Sequence, residues 1–172
     1  MGLSKNSNHL NFFVDSLEEI AQKDKNGVFW LDKYDSTTIN LGLAYGIPSI
    51  ISFLGKVYSE TKYEKAKTLG EHSIRWLLSK KTDKIDYCYF PSKIKADDIS
   101  EINTKGSRLA WCYGDLSIAY SIISFGDNTN NESIKKDGEI ILYKTLERKI
   151  ADENSSIYER ILSWYLRCFL SL

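Results

Sequence analysis

The sequence lacks any surplus of positive charge. Lysine and arginine together number 23, aspartate and glutamate also number 23, and the formal net charge at pH 7 is zero. A protein that binds a nucleic-acid backbone or an anionic membrane normally carries a basic surplus, so we expect no nucleic-acid partner. The 172 residues, 42% of them hydrophobic, are typical of one folded domain, and we treat 1–172 as a single domain.

Histidine is scarce, and the cysteines do not form pairs. The two histidines are His9 and His72, and the cysteines Cys88, Cys112 and Cys168 are widely spaced. An odd number of separated cysteines favours reduced thiols. The sequence has no Cys-x-x-Cys, His-x-x-x-His, glycine-rich phosphate loop or Gly-x-Ser-x-Gly motif. A complete zinc site, a nucleotide loop and a hydrolase nucleophile are therefore not encoded in recognisable form.

Long apolar runs are also missing. The most apolar stretch, 161–172, has about twelve residues and contains Arg167, whereas a membrane-spanning helix needs about twenty apolar residues. The first residues lack the apolar core of a secretion signal. We therefore expect no membrane span and a cytoplasmic location.

Apolar residues at spacings of three and four predict a mostly helical chain. Proline is suited to the first turn of a helix, so Pro48 is expected to open one. The predicted helices are His9–Lys23, the helix opened by Pro48, Tyr63–Lys81, Asp115–Phe125, Ser133–Ile150 and Ser156–Leu172. The predicted non-helical segments are an irregular or extended loop at Val28–Asn40, a strand-like Tyr87–Pro91, a polar loop at Lys93–Lys105 and a turn at Gly126–Asn131.

Two segments repeat the pattern Tyr-Gly-x-x-Ser-Ile. One begins at Tyr45 and the other at Tyr113, and each lies where a loop is predicted to enter an apolar helix. Coincidence in a chain rich in Ile, Ser and Tyr is the alternative. A repeated entry of this kind is typical of an array of helical hairpins.

Cys112 precedes the second of these helix starts. A thiol beside a helix N-terminus, with Arg108 four residues earlier, is in a setting that favours the thiolate, which can be a metal ligand, a nucleophile or a redox sensor. The alternative is a buried, inert cysteine packed by its aromatic neighbours. We expect Asp115 to cap its helix rather than to act as a catalytic acid or base.

The segment Arg108-Leu-Ala-Trp-Cys-Tyr-Gly-Asp resembles the Trp-Cys-Tyr-Gly motif of the lanthionine synthetase C-like family. Asn40-Leu-Gly-Leu-Ala-Tyr-Gly-Ile-Pro-Ser-Ile resembles that family's Gly-Leu-Ala-His-Gly-Ile-Pro-Gly motif. The resemblance covers about residues 25–155 and leaves 156–172 as a divergent tail. It implies an all-α fold, a fragment of an α/α toroid built from helical hairpins, in which a zinc ion activates a peptide cysteine for thioether formation. By the same resemblance, Cys112 is a zinc ligand, and Arg108 and Tyr113 line the site.

The chain departs from the family pattern at two places. Tyr45 replaces the histidine to which the resemblance assigns acid–base chemistry, and the later Cys-His-Gly motif, which supplies the other zinc ligands, is missing. Tyrosine, with an ordinary pKa near 10, is a poor proton shuttle at neutral pH. We therefore expect a truncated or divergent lanthionine-cyclase-like protein that is inactive alone.

Two other functions stay open. The chain could be a non-catalytic module that binds a peptide or partner protein, or a carbohydrate-active toroid. The latter class needs two carboxylates, and only Asp115 lies near the repeated segments. A partial toroid leaves apolar hairpin faces uncovered, so self-association or a complementing fragment is also expected.

Overall fold

Helices form most of the structure, a computed structural model that describes residues 3–83, 88–97, 106–107, 110 and 112–146, with side chains from residue 7. The helices in this part of the chain are α1 (Leu3–Ile20), α2 (Ile47–Thr61), α3 (Glu64–Leu78), α4 (Asp115–Thr129) and α5 (Glu132–Leu146). Four three-residue strands accompany them: β1 (Gln22–Asp24), β2 (Gly27–Phe29), β3 (Thr38–Asn40) and β4 (Lys93–Lys95).

The helices pack as two hairpins side by side. α2 lies against α3, α4 lies against α5, and α2 also packs against α4, while α1 contacts α2 and α3. Lys62 and Asn130 adopt the left-handed conformation at the turns of the two hairpins, with φ of 56° and 52°. Pro48 lies in the first turn of α2, as predicted. The helical-hairpin architecture predicted from the sequence is thereby confirmed for the described residues.

The core lies where the hairpins meet. Phe125 of α4 is fully buried, and a Cβ atom added to Gly70 of α3 would lie 2.1 Å from its ring. Gly55 of α2 is similarly close, since its added Cβ would lie 3.0 Å from the same ring. Trp76 of α3 stacks on Phe29 of β2, with ring centroids 4.7 Å apart. Small residues on two helices thus make the space that one aromatic ring fills.

The short strands correct several sequence predictions. Gln22 and Lys23 were expected to end the first helix, but they lie in β1, which pairs antiparallel with β2. The hairpin turn is stabilised by Asp24, whose carboxylate accepts the backbone N–H groups of Asn26 and Gly27. Lys93–Lys95, predicted to be loop, forms β4 and pairs with β3 in the register Ile39 to Ile94. Residues 88–91 are not a strand, and Tyr87 lies outside the described residues.

Some helix limits also differ from the prediction. α1 begins at Leu3, so His9 lies inside it and not at its start. α4 continues through Gly126 to Thr129, and the helix ends where Asn130 turns left-handed. Glycine at 126 serves packing here, since an added Cβ would meet the backbone nitrogen of Lys135 at 2.7 Å. The predictions for 147–150 and for Ser156–Leu172 fall outside the described residues.

Apolar side chains remain exposed at two ends of the helix arrangement. On α1 they are Phe12, Phe13 and Ile20, and on the second hairpin they are Tyr120, Ile140 and Tyr143. A groove of about 410 Å³ runs between α4 and α5, lined mainly by Leu116, Tyr120, Ile123 and Leu142.

No helix among the described residues is both long and apolar enough to cross a membrane.

Candidate functional site

The two Tyr-Gly-x-x-Ser-Ile segments enter their helices with the same serine contact, although φ is −118° at Gly46 and 93° at Gly114. Gly46 and Gly114 are the residues immediately before α2 and α4. The Ser49 hydroxyl donates to the Gly46 carbonyl at 2.7 Å, and the Ser117 hydroxyl donates to the Gly114 carbonyl at 2.9 Å. The repetition in the sequence is therefore a repetition in structure, and coincidence is not its explanation.

The two segments also touch each other. The backbone N–H of Leu43 donates to the carbonyl of Cys112 at 2.9 Å. A Cβ atom added to Gly42 would lie 2.5 Å from that same carbonyl oxygen and 2.6 Å from the ring of Tyr113. Only glycine at position 42 permits this approach, because any larger residue would separate the segments. We call this contact between residues 42–46 and 112–114 the motif junction.

A polar network of Asp32, Asn40 and Lys93 is hydrogen-bonded to the motif junction at Gly42. The Asn40 side-chain oxygen accepts the N–H of Gly42 at 2.8 Å, and its amide nitrogen donates to the Asp32 carboxylate at 3.2 Å. Lys93 of β4 donates to the same Asp32 oxygen at 3.0 Å. Asp32 has only 3% of its side chain exposed, so this ion pair is shielded from solvent on the carboxylate side.

The network shifts the ionisation of both charged partners. The N–H of Tyr34, which donates to Asp32 at 2.9 Å, holds the pKa of that carboxyl below its ordinary value, and Lys93 and Asn40 act in the same direction. The hydrogen bond to Asp32 raises the pKa of Lys93. Both groups are charged at neutral pH, as a structural ion pair requires.

Asp115 does not cap α4, contrary to the prediction. Gly114 occupies the capping position, and Asp115 is the first residue inside the helix. Its carboxylate is fully buried and accepts the backbone N–H groups of Tyr89 and Phe90, at 2.8 and 3.1 Å. It therefore fastens the 88–90 segment to the start of α4. A buried carboxylate with both oxygens engaged is poorly placed to meet a sugar, which leaves the carbohydrate alternative without support.

Three of the four residues predicted for the site, Tyr45, Cys112 and Tyr113, lie in the motif junction. Cys112 and Tyr113 are half-buried in the motif junction, and Tyr45 lies in its other segment with 70% of its surface exposed. The ring of Tyr45 meets that of Tyr34 edge to face, with centroids 6.2 Å apart. Arg108 lies outside the described residues. The roles of Cys112, Tyr113, Tyr45 and Arg108 stay predictions.

The donor groups for zinc do not come together in the part of the chain that the structure describes. No three His, Cys, Asp or Glu side chains among these residues are arranged so that they could hold a metal ion. His9 and His72 are exposed on α1 and α3, and Cys88 is buried. Structural zinc needs four ligands and catalytic zinc three, so the described side chains around Cys112 do not fit a zinc ion.

Sequence reasoning missed the supporting residues Asp32, Asn40 and Lys93. Two of them carried a local signal, because Asp and Asn side chains often accept the N–H two residues further on. Asp32 does so with Tyr34, and Asn40 with Gly42. No local signal could have identified Lys93, because it reaches Asp32 only through the pairing of β3 with β4.

The comparisons with known proteins agree with this architecture. The family model described as "Lanthionine synthetase C-like protein" matches residues 2–157. A search of curated proteins finds no match. Among solved structures, nisin cyclase is similar to this chain, with a TM-score of 0.63 and 19% sequence identity. The matched region covers 84% of this chain and 39% of nisin cyclase. The chain thus spans well under half of that relative.

The paired hairpins correspond to part of an α/α toroid, the fold predicted from the sequence. The family match extends over most of the chain and includes both segments of the motif junction. The chain belongs to the lanthionine synthetase C-like family.

Proposed function

We propose that this chain is a divergent relative of the lanthionine cyclases that binds a peptide at the motif junction and does not catalyse cyclisation on its own. The observation that carries the proposal is the contact between the two family motifs, in which Leu43 donates to the Cys112 carbonyl and Tyr113 lies on Gly42. Nisin cyclase, as its name states, cyclises nisin, and a peptide is the partner that we infer for this chain.

Two features of the residues support the absence of independent catalysis. Tyr45 stands where the family motif has histidine, and a neutral phenol exchanges protons poorly at pH 7. Cys112 is the one residue of the motif junction that could coordinate zinc, whereas a zinc ion that activates a thiol needs three protein ligands and an open position for that thiol. In this proposal a further chain, or residues outside the described ranges, would have to complete the ligand set.

The direct test uses a peptide that contains one dehydroalanine and one cysteine. Cyclisation adds the thiol S–H across the C=C bond, so the product has the same mass but no alkylatable thiol. We expect the purified chain with added zinc to leave the thiol at the level of a protein-free control. Enzyme-dependent loss of the thiol that is abolished by Cys112→Ala would contradict the proposal.

Peptide binding is the part of this proposal that requires no metal. The exposed pair of Tyr34 and Tyr45, which includes one residue of the motif junction, favours binding, because exposed aromatic rings are common in binding surfaces. The cytoplasmic location expected from the sequence belongs to the same proposal. Titration of the same peptide, followed by tyrosine fluorescence, measures binding separately from cyclisation.

A further inference from the structure

The groove between α4 and α5 runs along almost the whole of α4. Its lining begins at Leu116 in the first turn of that helix and ends at Asn128 in the last turn. At 1.5 Å per residue, the groove is about 18 Å long. The ring of Tyr120 lies in it with 54% of the residue exposed. An apolar groove that is open to solvent often marks a contact site.

α5 leads the chain to one end of this groove. α4 and α5 run antiparallel across the turn at Asn130, and a Cβ atom added to Gly138 would lie 2.7 Å from the side chain of Ile123. Leu146, the last residue of α5, therefore lies beside the first turn of α4. Residues 147–172 follow it in the sequence and lie outside the described residues.

The sequence of 156–172 predicts an amphipathic helix with a wide apolar side. Its polar residues recur at spacings of three and four, which places them on one narrow side: Ser156, Glu159, Arg160, Ser163, Arg167 and Ser171. The opposite side carries Tyr158, Ile161, Leu162, Tyr165, Phe169 and Leu172. A helix that is apolar around more than half of its circumference requires burial on more than one flank, as it finds between two helices.

We propose that residues 156–172 form a helix that lies in the groove between α4 and α5 and covers Tyr120. A helix of this length spans about 25 Å, which is enough to run the length of the groove. Residues 147–155 can extend to about 30 Å, whereas the groove begins beside Leu146.

The chain's own segment is favoured over a second copy of the chain. A short linker holds a segment near its site at an effective concentration in the millimolar range, which a second copy does not reach in dilute solution. The helix would lie on the face to which a further hairpin is added in a longer helical array. The proposal does not depend on peptide binding at the motif junction.

Cys168 serves as the probe of this packing. It lies within the apolar side of the 156–172 helix, so iodoacetamide should alkylate it slowly in the folded full chain. Mass spectrometry of the digested protein measures Cys168 separately from Cys88 and Cys112. Protection is the alkylation rate in urea divided by the rate in buffer, taken for each variant against itself. We expect the wild type to protect Cys168 about tenfold or more, equally at all chain concentrations.

Variants of the segment test which side of it is buried. Tyr165→Lys places a charge at the centre of the apolar side and should bring the protection of Cys168 close to one. Ser163→Lys, the matched control, adds the same charge on the polar side and should retain the protection.

Variants of the groove test where the segment lies. Tyr120→Lys should remove the protection of Cys168. Ile140→Lys is the matched control, because Ile140 is 53% exposed but does not line the groove. Cys88 is fully buried in the described structure, so its slow alkylation shows that the rest of the fold is intact. If Tyr120→Lys also exposes Cys88, then Ser124→Lys makes the same test at another lining residue.

Three results would overturn the proposal. The first is a Cys168 that reacts in the folded wild type as fast as in urea. The second is protection that survives the groove substitutions while Cys88 stays protected, because the segment would then pack elsewhere. The third is protection that rises with chain concentration, because a second copy would then cover the segment.

Discussion

Two buried carboxylates, those of Asp32 and Asp115, accept the hydrogen bonds that hold the loops around the motif junction. Asp32 and Asp115 are both buried, and each accepts backbone N–H groups from a segment that has no regular secondary structure. Such acceptors are costly to lose, because the donors that remain are buried without a partner. Asp32 thus holds the backbone at Tyr34 and, through Asn40, at Gly42, and Asp115 holds residues 89–90 at the start of α4.

Asp115→Asn should destabilise the protein by about 1–3 kcal/mol, because an amide keeps one oxygen and cannot accept from both Tyr89 and Phe90 as a carboxylate does. Urea unfolding followed by circular dichroism gives the free energy of unfolding. Asp127→Asn on the same helix is the matched control, since its exposed ion pair with Lys135 should contribute little to stability. Equal losses in the two variants would show that Asp115 has no special role.

The ion pair of Asp32 and Lys93 should make stability depend on pH. The pKa of Asp32 is lowered in the folded state, so its stabilising effect is complete above the ordinary value of about 3.9 and is lost as the pH falls through the folded value. Lys93→Met removes one cause of that shift. We expect the stability difference between wild type and Lys93→Met to be largest near neutral pH and to narrow as the solution becomes more acidic.

Urea unfolding at a series of pH values measures this difference. Lys95→Met is the matched control, because Lys95 is exposed on the same strand and should leave the acid profile unchanged. A difference between wild type and Lys93→Met that stays constant down to acid pH would mean that the pair is not coupled to the ionisation of Asp32.

Helices and strands differed in how far the sequence could predict them. The helical hairpins and the equivalence of the two helix starts followed from apolar spacing and from the repeated Tyr-Gly-x-x-Ser-Ile pattern, which are local signals. The three-residue strands did not, since β3 pairs with β4 across more than fifty residues and neither strand has a periodic pattern of its own. Gly126 misled the prediction because close packing against Lys135, and not a turn, requires glycine there.

The packing of α3 against α4 should be sensitive to one methyl group. In Gly70→Ala the new Cβ would lie 2.1 Å from the Phe125 ring, so we expect a loss of about 1–3 kcal/mol even though alanine favours helix. Gly55→Ala approaches the same ring at 3.0 Å and should cost less. Thermal unfolding ranks the two variants, and a Gly70→Ala protein as stable as the wild type would contradict the tight packing. Adding Phe125→Leu to Gly70→Ala should recover part of the loss.

At the scale of the whole molecule, the chain resembles a section of a larger ring. It covers 39% of nisin cyclase, and apolar side chains are exposed on α1 and on the α4–α5 hairpin, which lie at opposite ends of the order in which the helices pack. Helical-repeat architectures bury such faces against neighbouring repeats. The overall fold was predictable from the family motifs. No local pattern in this sequence predicts zinc ligands other than Cys112.

Self-association is the expected consequence of these apolar faces. We expect light scattering after size exclusion to give a mass above the 19.8 kDa of one chain, rising with concentration. Ile140→Lys should reduce the association because it places a charge among exposed apolar residues of α5. Ser133→Lys adds the same charge at an exposed polar position of that helix and should have no effect. A wild-type monomer over a wide concentration range would contradict the expectation.

The measurement that most directly tests whether the site is complete is the zinc content of the purified chain, determined by mass spectrometry of the metal after dialysis against buffer with trace zinc. The described residues place a single zinc-binding side chain, Cys112, at the motif junction, and one cysteine ligand alone does not retain zinc through dialysis. We expect far less than one zinc per chain, unchanged by Cys112→Ala. One zinc per chain, lost on Cys112→Ala but retained in Cys88→Ala, would contradict this account and would show that Cys112 belongs to a zinc site.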